Sequence, residues 1–327
     1  MKKEFWGLLK GPAQVMFQAN ALSGAIMLLG IFWGAIASGT PQVAFGGVVG
    51  LAISTLTGYL LNLPSRDGRA GLWGFNGVLV GCAFMTFLGN TPLAWAALIL
   101  ASAMTTWVRA GLDRVGASHK VNAMTMPFVL CTWIFLAAAR LLVGLDEVAL
   151  SHPMLPAIHL TDPSATPPAT FWEALVWPLK GVAQIMLIDS WVTGLLFLIG
   201  LFISSPWAAL WAFVGSLIGT YGALLYGAAS SAVESGLYGF SPALTAIALG
   251  CTFHKPSPKA ALWALIGAIA TLFTQAATNT FLEPLGLPAL TFPFCLTTWL
   301  FLLPLIRFEK DKKAEDVDHS VWHHHAQ

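Results

Sequence analysis

The stretch GLPALTFPFCLTTW, from Gly286 to Trp299, places two prolines, with Thr291 between them, among residues that otherwise belong in an apolar helix. A similar stretch, VNAMTMPFVLCTW, stands earlier, from Val121 to Trp133. Proline has no backbone N–H group and interrupts the hydrogen bonding of a helix interior. Inside a membrane, interrupted backbone is tolerated only where protein or a water-filled cavity satisfies it. Two copies therefore favour helices broken beside a path, although a kink in a packing helix is the alternative.

The composition of the chain is that of a membrane protein. Of its 327 residues, 57% are hydrophobic and only 9% are charged, whereas soluble globular chains are about 25% charged. A soluble fold of this length cannot hide that much apolar surface, so we predict an integral membrane protein. The net charge of +1 gives no indication of a nucleic-acid partner. The four cysteines include no Cys-x-x-Cys pair, which argues against a zinc site or a redox motif.

Hydropathy predicts an all-α polytopic protein, because a membrane-spanning helix needs roughly 20 apolar residues and ten stretches approach that length. Two shorter apolar pieces, Gly11–Asn20 and Gly181–Asp189, are predicted to enter the membrane as half-helices without crossing it. The ten predicted spans are 21–39, 42–62, 72–89, 92–112, 124–144, 190–204, 207–228, 239–253, 260–278 and 289–306.

The loop charges predict how the chain is oriented. The positive-inside rule counts Lys and Arg near the ends of spans. If the N-terminus is cytoplasmic, every cluster of Lys and Arg faces the cytoplasm, and the loop 146–172, which has neither residue, lies outside. Arg140 and Lys180 are single exceptions on the outer side. We therefore predict a multi-pass protein with both termini in the cytoplasm.

The chain contains a long internal repeat. Three segments recur in the same order at offsets of 165 to 170 residues, which is hard to obtain by chance. One of them carries the two threonine-bearing stretches quoted above. The matching segments are 11–32 with 181–202, 71–79 with 236–244, and 125–133 with 291–299.

The repeat predicts two inverted halves. Each copy has five predicted spans, and because five is odd, the second copy enters the membrane from the opposite side. In proteins of this kind the substrate site tends to lie near the bilayer midplane, where the repeats meet on broken or short helices. The predicted units are a first repeat (1–145), an external loop (146–172), a second repeat (173–306) and a cytoplasmic tail (307–327).

Few polar side chains are predicted at membrane depth, and Gln14 and Gln184 occupy equivalent positions among them. An amide has one acceptor oxygen and two donor hydrogens, so this pair suits a neutral, hydrogen-bonding solute. One apolar side chain follows each glutamine by three residues, and the segments 71–79 and 236–244 each add a pair at i and i+4. This pattern favours a flat slot that resists hydrated ions, with plain packing as the alternative. These side chains are Phe17, Phe75, Leu79, Leu187, Phe240 and Leu244.

Asp189 is the one carboxylate predicted near membrane depth, where a half-helix meets the next helix. It either caps the free N–H groups of that helix or takes part in ion-coupled transport. Its counterpart in the first repeat is Ala19, so the carboxylate is not duplicated. No Walker loop, nucleophile elbow or set of metal ligands is visible, so we predict neither an enzyme nor a cofactor.

These motifs resemble those of the urea transporters of bacteria and vertebrates. The family signature is an LPxxT segment that often continues into Pro-Phe, and here it is complete as Leu287, Pro288, Thr291, Pro293 and Phe294. The first copy keeps the threonine and the Pro-Phe pair but lacks Leu-Pro. The glutamine-bearing segments and the GLxGF elements are similar as well, so the resemblance covers essentially the whole chain.

The resemblance implies a passive, channel-like route for urea, built from two inverted repeats of five membrane helices and one half-spanning re-entrant helix each. It also implies a homotrimer with one pore per protomer, surrounded by lipid in the bacterial inner membrane. By this resemblance, the polar ends of the filter are Gln14 and Gln184, and Thr125 and Thr291 face each other across its middle. The slot between them consists of Phe17, Phe75, Leu79, Leu187, Phe240 and Leu244.

The sequence leaves three hypotheses about function open. The first is facilitated diffusion of urea along its concentration gradient. The second is ion-coupled secondary transport that uses Asp189. The third is a facilitator for related small neutral solutes such as ammonia, water or short amides.

Overall fold

The described part of the chain is built from helices. A computed structural model describes residues 2–155, 166–168 and 170–306. The predicted tail 307–327 and part of the predicted external loop lie outside the described residues. Within them the structure has fourteen α-helices and, in place of sheets, a single isolated β-bridge. The prediction of an all-α polytopic membrane protein is confirmed.

The helices form two series of seven in the same order, and each of the ten predicted spans contains one of them. The first series is α1 (Lys2–Gln14), α2 (Ala21–Ala37), α3 (Pro41–Leu60), α4 (Ser65–Ala70), α5 (Phe75–Phe87), α6 (Pro92–Ala117) and α7 (Met126–Ala139). The second is α8 (Phe171–Ala183), α9 (Trp191–Ser204), α10 (Pro206–Leu225), α11 (Ser230–Glu234), α12 (Phe240–Ile247), α13 (Pro258–Leu282) and α14 (Phe292–Leu302).

Prolines mark the starts of the longest helices. Pro41, Pro92, Pro206 and Pro258 each stand in the first turn of α3, α6, α10 and α13. In that turn proline costs no hydrogen bond, because its missing N–H would have no partner there, and its restricted φ suits the helix. These four prolines therefore mark where the helices begin, which an apolar run by itself does not define.

The two half-helices lie earlier in the chain than predicted. α1 ends at Gln14, and α8, continued by one turn of 3-10 helix, ends at Met186. The predicted ranges Gly11–Asn20 and Gly181–Asp189 were therefore wrong at both ends. Left-handed backbone conformations occur at Leu187, which directly follows the 3-10 turn, and at Phe17, three residues after Gln14. Neither residue is a glycine, so the sequence carries no usual stop signal there.

Helix length by itself allows fewer crossings than the ten predicted. Of the described helices, α3, α6, α10 and α13 with its 3-10 extension are long and apolar enough to cross a membrane. α8 and α9 pass the same test only as a pair bent by 75°, which fits a broken span or a re-entrant loop. Five further apolar helices have 10–17 residues, so the count of ten stays a prediction. These five are α2, α5, α7, α12 with its continuation to Thr252, and α14.

Glycines let each half-helix lie directly on the helix that follows it. A Cβ atom on Gly24 of α2 would come within 1.8 Å of the Leu9 carbonyl oxygen of α1. A Cβ atom on Gly194 of α9 would come within 1.9 Å of the Leu179 carbonyl oxygen of α8. Small residues at helix contacts allow such close approach of backbones inside membranes. Both half-helices are thus positioned by equivalent glycines.

The two basic residues that oppose the positive-inside rule both form ion pairs. Lys180 Nζ lies 2.9 Å from Asp189 Oδ1, and the Arg140 guanidinium binds the carboxylate of Glu147. The positive-inside rule counts Lys and Arg and not the net charge, so both residues remain exceptions to the predicted orientation, which stays a prediction.

Candidate functional site

The two threonine-bearing segments meet where the repeats contact each other. Thr125 and Thr291 are the N-cap residues of α7 and α14, and each is followed by a proline in the first turn of its helix. Neither side chain caps its own helix; instead, the two Oγ1 atoms lie 2.7 Å apart, and both residues are buried. The prolines therefore begin these helices, and the expected break within a helix is wrong. The unpaired groups belong to helix ends instead.

Two tryptophans make reciprocal contacts around the threonines. Trp133 Nε1 donates to the Pro288 carbonyl oxygen at 2.8 Å, and Trp299 Nε1 donates to the Asn122 carbonyl oxygen at 2.9 Å. The two tryptophans are equivalent positions of the repeat, and so are Asn122 and Pro288. Reciprocal contacts of this kind are what a two-fold axis produces. These two contacts fit a pseudo-two-fold axis between the repeats close to the two threonines.

The contact between the threonine hydroxyls leaves no room for a solute between them. An Oγ1–Oγ1 distance of 2.7 Å is that of a direct hydrogen bond. The expectation that Thr125 and Thr291 face each other across a path is therefore wrong. A solute has to pass beside the pair, where the hydroxyl oxygens still offer lone pairs.

Four residues near the threonines have left-handed backbone conformations without being glycine. Phe17 and Leu187 have φ angles of 64° and 59°, and Met124 and Leu290 have φ angles of 49° and 51°. The members of each pair are equivalent positions of the repeat. Such conformations cost on the order of 1–3 kcal/mol each, persist only where the surroundings impose them, and are concentrated at functional sites. The turns after the half-helices and before the threonines are thus the strained parts of both repeats.

The paired glutamines bind backbone carbonyl groups at the ends of the half-helices. Gln14 Nε2 donates to the Ala70 oxygen at 2.7 Å, and Gln184 Nε2 donates to the Ser235 oxygen at 2.9 Å. Both acceptors stand directly before a GLxGF element, so the two contacts are equivalent. Gln14 Oε1 is buried and has no hydrogen-bond partner among the described residues. An orphaned buried acceptor is costly until a donor reaches it.

A cavity of about 470 Å³ reaches the threonine pair from the side of the second repeat. Its lining mixes apolar with polar and ionisable residues, and one of the polar residues is Gln275, whose Oε1 is another buried oxygen without a partner in the described part of the chain. Four of the predicted site residues line this cavity: Gln184, Leu187, Phe240 and Thr291. The other six do not line it and are almost fully buried: Gln14, Phe17, Phe75, Leu79, Thr125 and Leu244.

Asp189 does not cap the helix that follows it, which corrects one interpretation of the sequence. Ser190 is the N-cap of α9, and its hydroxyl accepts a hydrogen bond from the Thr193 N–H, just as Asn20 caps α2. The Asp189 carboxylate pairs with Lys180 instead, and 46% of its side chain is exposed. A half-exposed, paired carboxylate differs from the buried acids that mark proton relays inside membranes.

Arg109 was not predicted as a site residue, although it lies within a predicted span. Its guanidinium donates to the Leu72 carbonyl oxygen at 3.1 Å and pairs with the Asp67 carboxylate at 2.9 Å. At the equivalent position of the second repeat, Gln275 donates to the Leu237 carbonyl oxygen. Both side chains therefore hold a GLxGF element in place. The signal that could have found Arg109 is an ionisable residue inside an apolar span.

Asn76 is a second residue that the sequence did not single out. Its Nδ2 donates to the Met124 carbonyl oxygen at 3.3 Å, and its Oδ1 accepts from the Phe128 N–H at 3.1 Å. Asn76 thus ties α5 to both sides of Thr125. A buried amide that binds backbone on either side of a strained turn fixes that turn.

Comparisons with known proteins agree with this geometry along nearly the whole chain. Residues 6–306 match the family model described as urea transporter. Urea transporter 1 of Ovis aries is 31% identical over 304 residues, which cover 90% of this chain and 76% of the sheep protein. Urea transporter 1 of Rattus norvegicus is 32% identical over 301 residues, with the same coverage of both chains. The match includes both repeats and every predicted site residue, and the chain therefore belongs to the urea transporter family.

Proposed function

We propose that this protein carries urea passively along a narrow path within each chain, beside the Thr125–Thr291 pair. The observation that carries the proposal is the buried oxygen of Gln14, which has no partner among the described residues. Urea is flat and uncharged, with four N–H donors and one carbonyl oxygen, so it can supply the missing donor without bringing a charge into the membrane. Buried acceptors beside apolar walls match that chemistry.

The environment of the path disfavours ions. The cavity of about 470 Å³ is lined by polar and ionisable residues, among them Gln275, His152 and Glu283, as well as by apolar ones such as Leu187 and Phe240. The proposed slot beyond it consists of buried apolar side chains such as Phe75 and Leu244, where a hydrated ion would have to shed its water without compensation. Asp189, which the ion-coupled alternative needs, is already paired with Lys180. Ion-coupled transport is therefore not favoured.

The arrangement in the membrane is part of the same proposal. We propose two inverted repeats, 1–145 and 173–306, each with five membrane helices and one half-spanning re-entrant helix, joined by the external loop 146–172. The reciprocal tryptophan contacts support the two-fold relation, and the Lys and Arg distribution supports cytoplasmic termini and a cytoplasmic tail 307–327. The proposal includes a homotrimer in the bacterial inner membrane, and exposed apolar side chains such as Trp33 and Phe281 support contact with lipid.

Stopped-flow measurement of urea flux into proteoliposomes tests the proposed function. We expect flux well above that of empty liposomes, unchanged by proton or sodium gradients and reduced by thiourea or dimethylurea. Flux that follows an ion gradient would favour coupled transport instead. Ammonia, water or short amides crossing faster than urea would favour the broader facilitator. No urea flux above empty liposomes would overturn the proposal.

Gln14→Ala is expected to slow urea flux about two- to tenfold, because it removes one neutral hydrogen-bonding group from the path. The same stopped-flow assay measures the change, and the elution volume in detergent shows whether the protein is still assembled. Gln42→Ala is a matched control, since Gln42 is a half-buried glutamine in the first turn of α3, outside the half-helices. Equal flux in Gln14→Ala and wild type would remove Gln14 from the path.

A further inference from the structure

The turn that follows α8 lies between two cavities. Leu187 lines the cavity of about 470 Å³ that reaches Thr291. It also lines a second cavity of about 490 Å³, together with Ile188 and Asp189. Since Leu187 has a left-handed φ of 59°, this turn is strained and at the same time has open space on two sides. Ile188 of this turn is buried, so the open space lies beside Leu187, which is half-buried, and Asp189, which is exposed.

The equivalent turn of the first repeat is packed on all sides. Phe17 is only 5% exposed and Ala19 only 9%, whereas Leu187 is half-buried and Asp189 is exposed. The Phe17 ring makes edge-to-face contacts with Phe253 and Phe294, at centroid distances of 5.7 and 5.9 Å. Such aromatic contacts add stability beyond buried area. Aromatic contacts therefore stabilise the strained turn of the first repeat, and the strained turn of the second repeat is stabilised differently.

An ion pair joins the two ends of the less packed turn. Lys180 lies in the last turn of α8 and Asp189 directly precedes the start of α9, and their charged groups are 2.9 Å apart. A cation near a helix C-terminus and an anion near a helix N-terminus are each favoured by the helix dipole. The first repeat has the equivalent lysine, Lys10, but Ala19 in place of the acid. The pair therefore exists in one repeat alone.

We propose that the Lys180–Asp189 pair is a positioning device, which holds the turn with Gln184 and Leu187 in the conformation that shapes the filter on this side. The inference rests on the proposed function, because it assigns the pair a role in selecting urea. Neither charged group needs to touch the solute; both act through Leu187. The same pair explains why the chain keeps a carboxylate here without using it as a helix cap.

The test compares urea flux with dimethylurea flux in proteoliposomes. Asp189→Asn and Lys180→Met break the pair, and we expect urea flux to fall about two- to fivefold, the effect of a partly exposed ion pair after solvent screening. The ratio of urea to dimethylurea flux is expected to fall as well, because a relaxed Leu187 turn admits the larger molecule. Lys180→Arg keeps the charge and is expected to keep the wild-type ratio. Lys10→Met is the matched control in the first repeat.

The flux ratio separates a positioning role from a merely structural one. A protein with lower thermal stability but the wild-type ratio in both pair-breaking variants would overturn the inference. If those variants do not fold, the flux ratio of the wild-type protein is measured at about 1 M salt, because salt screens partly exposed charges. A lowered ratio of urea to dimethylurea flux supports the role of the pair, and an unchanged ratio overturns it. Absence of urea flux in the wild type would instead refute the proposed function.

Discussion

Urea flux is expected to fall between about fivefold and 150-fold when Thr291 is replaced by valine, the cost of leaving a buried donor without an acceptor. Valine has nearly the shape of threonine, so the packing around α14 is kept while the hydroxyl is lost. That hydroxyl lies 2.7 Å from its partner on Thr125, at the contact between the repeats. A urea N–H group that has lost its hydration water beside this pair would then lack a hydrogen-bond acceptor.

Two related variants sharpen this experiment. Thr291→Ser keeps the hydroxyl and is expected to retain most of the flux. Thr125→Val is also expected to slow flux, because it removes the hydroxyl that lies 2.7 Å from Thr291 Oγ1 at the contact between the repeats. Stopped-flow measurement with equal amounts of reconstituted protein gives the comparison. Wild-type flux in both valine variants would place the path away from the threonine pair.

Gly194→Ala is expected to prevent correct folding of the second repeat or to lower its stability by more than about 3 kcal/mol, the upper range for overpacking. The added Cβ would lie 1.9 Å from the Leu179 carbonyl oxygen, which is backbone and has no rotamer that moves it away. α8 would have to separate from α9, and Gln184 and Leu187 would move with it. The yield of monodisperse protein and its unfolding temperature in detergent measure the effect.

Gly111→Ala is the matched control for this substitution. Gly111 lies within α6, and a Cβ atom there would meet nothing within 4 Å. Alanine is favoured over glycine in a helix interior by about 1 kcal/mol, so this variant is expected to be as stable as wild type or more so. Gly24→Ala should behave like Gly194→Ala, since its Cβ would lie 1.8 Å from Leu9 O. A stable, active Gly194→Ala protein would contradict the close contact of α8 and α9.

Much of the fold follows from patterns that are local in the sequence. Each of the ten predicted spans contains a helix, because long apolar runs with prolines at their starts favour helices whatever surrounds them. The half-helices were placed too late, because the residues that end them, such as Leu187, are apolar residues in a left-handed conformation that only the tertiary fold imposes. Hydrophobic periodicity in the sequence does not indicate where such a helix ends.

The candidate site, too, was predictable in part from the sequence and in part only from the structure. Composition placed the chain in a membrane, the offsets of the repeat paired Gln14 with Gln184 and Thr125 with Thr291, and the LPxxT segment connected it with its family. These conclusions depend on residue types and their order, which folding does not change. Contacts depend on distances between residues far apart in the chain. Only the tertiary structure could decide that the two threonine hydroxyls touch and that Pro293 of the opening stretch begins a helix. The same holds for the oxygen of Gln14, which has no partner among the described residues, and for the pairing of Asp189 with Lys180.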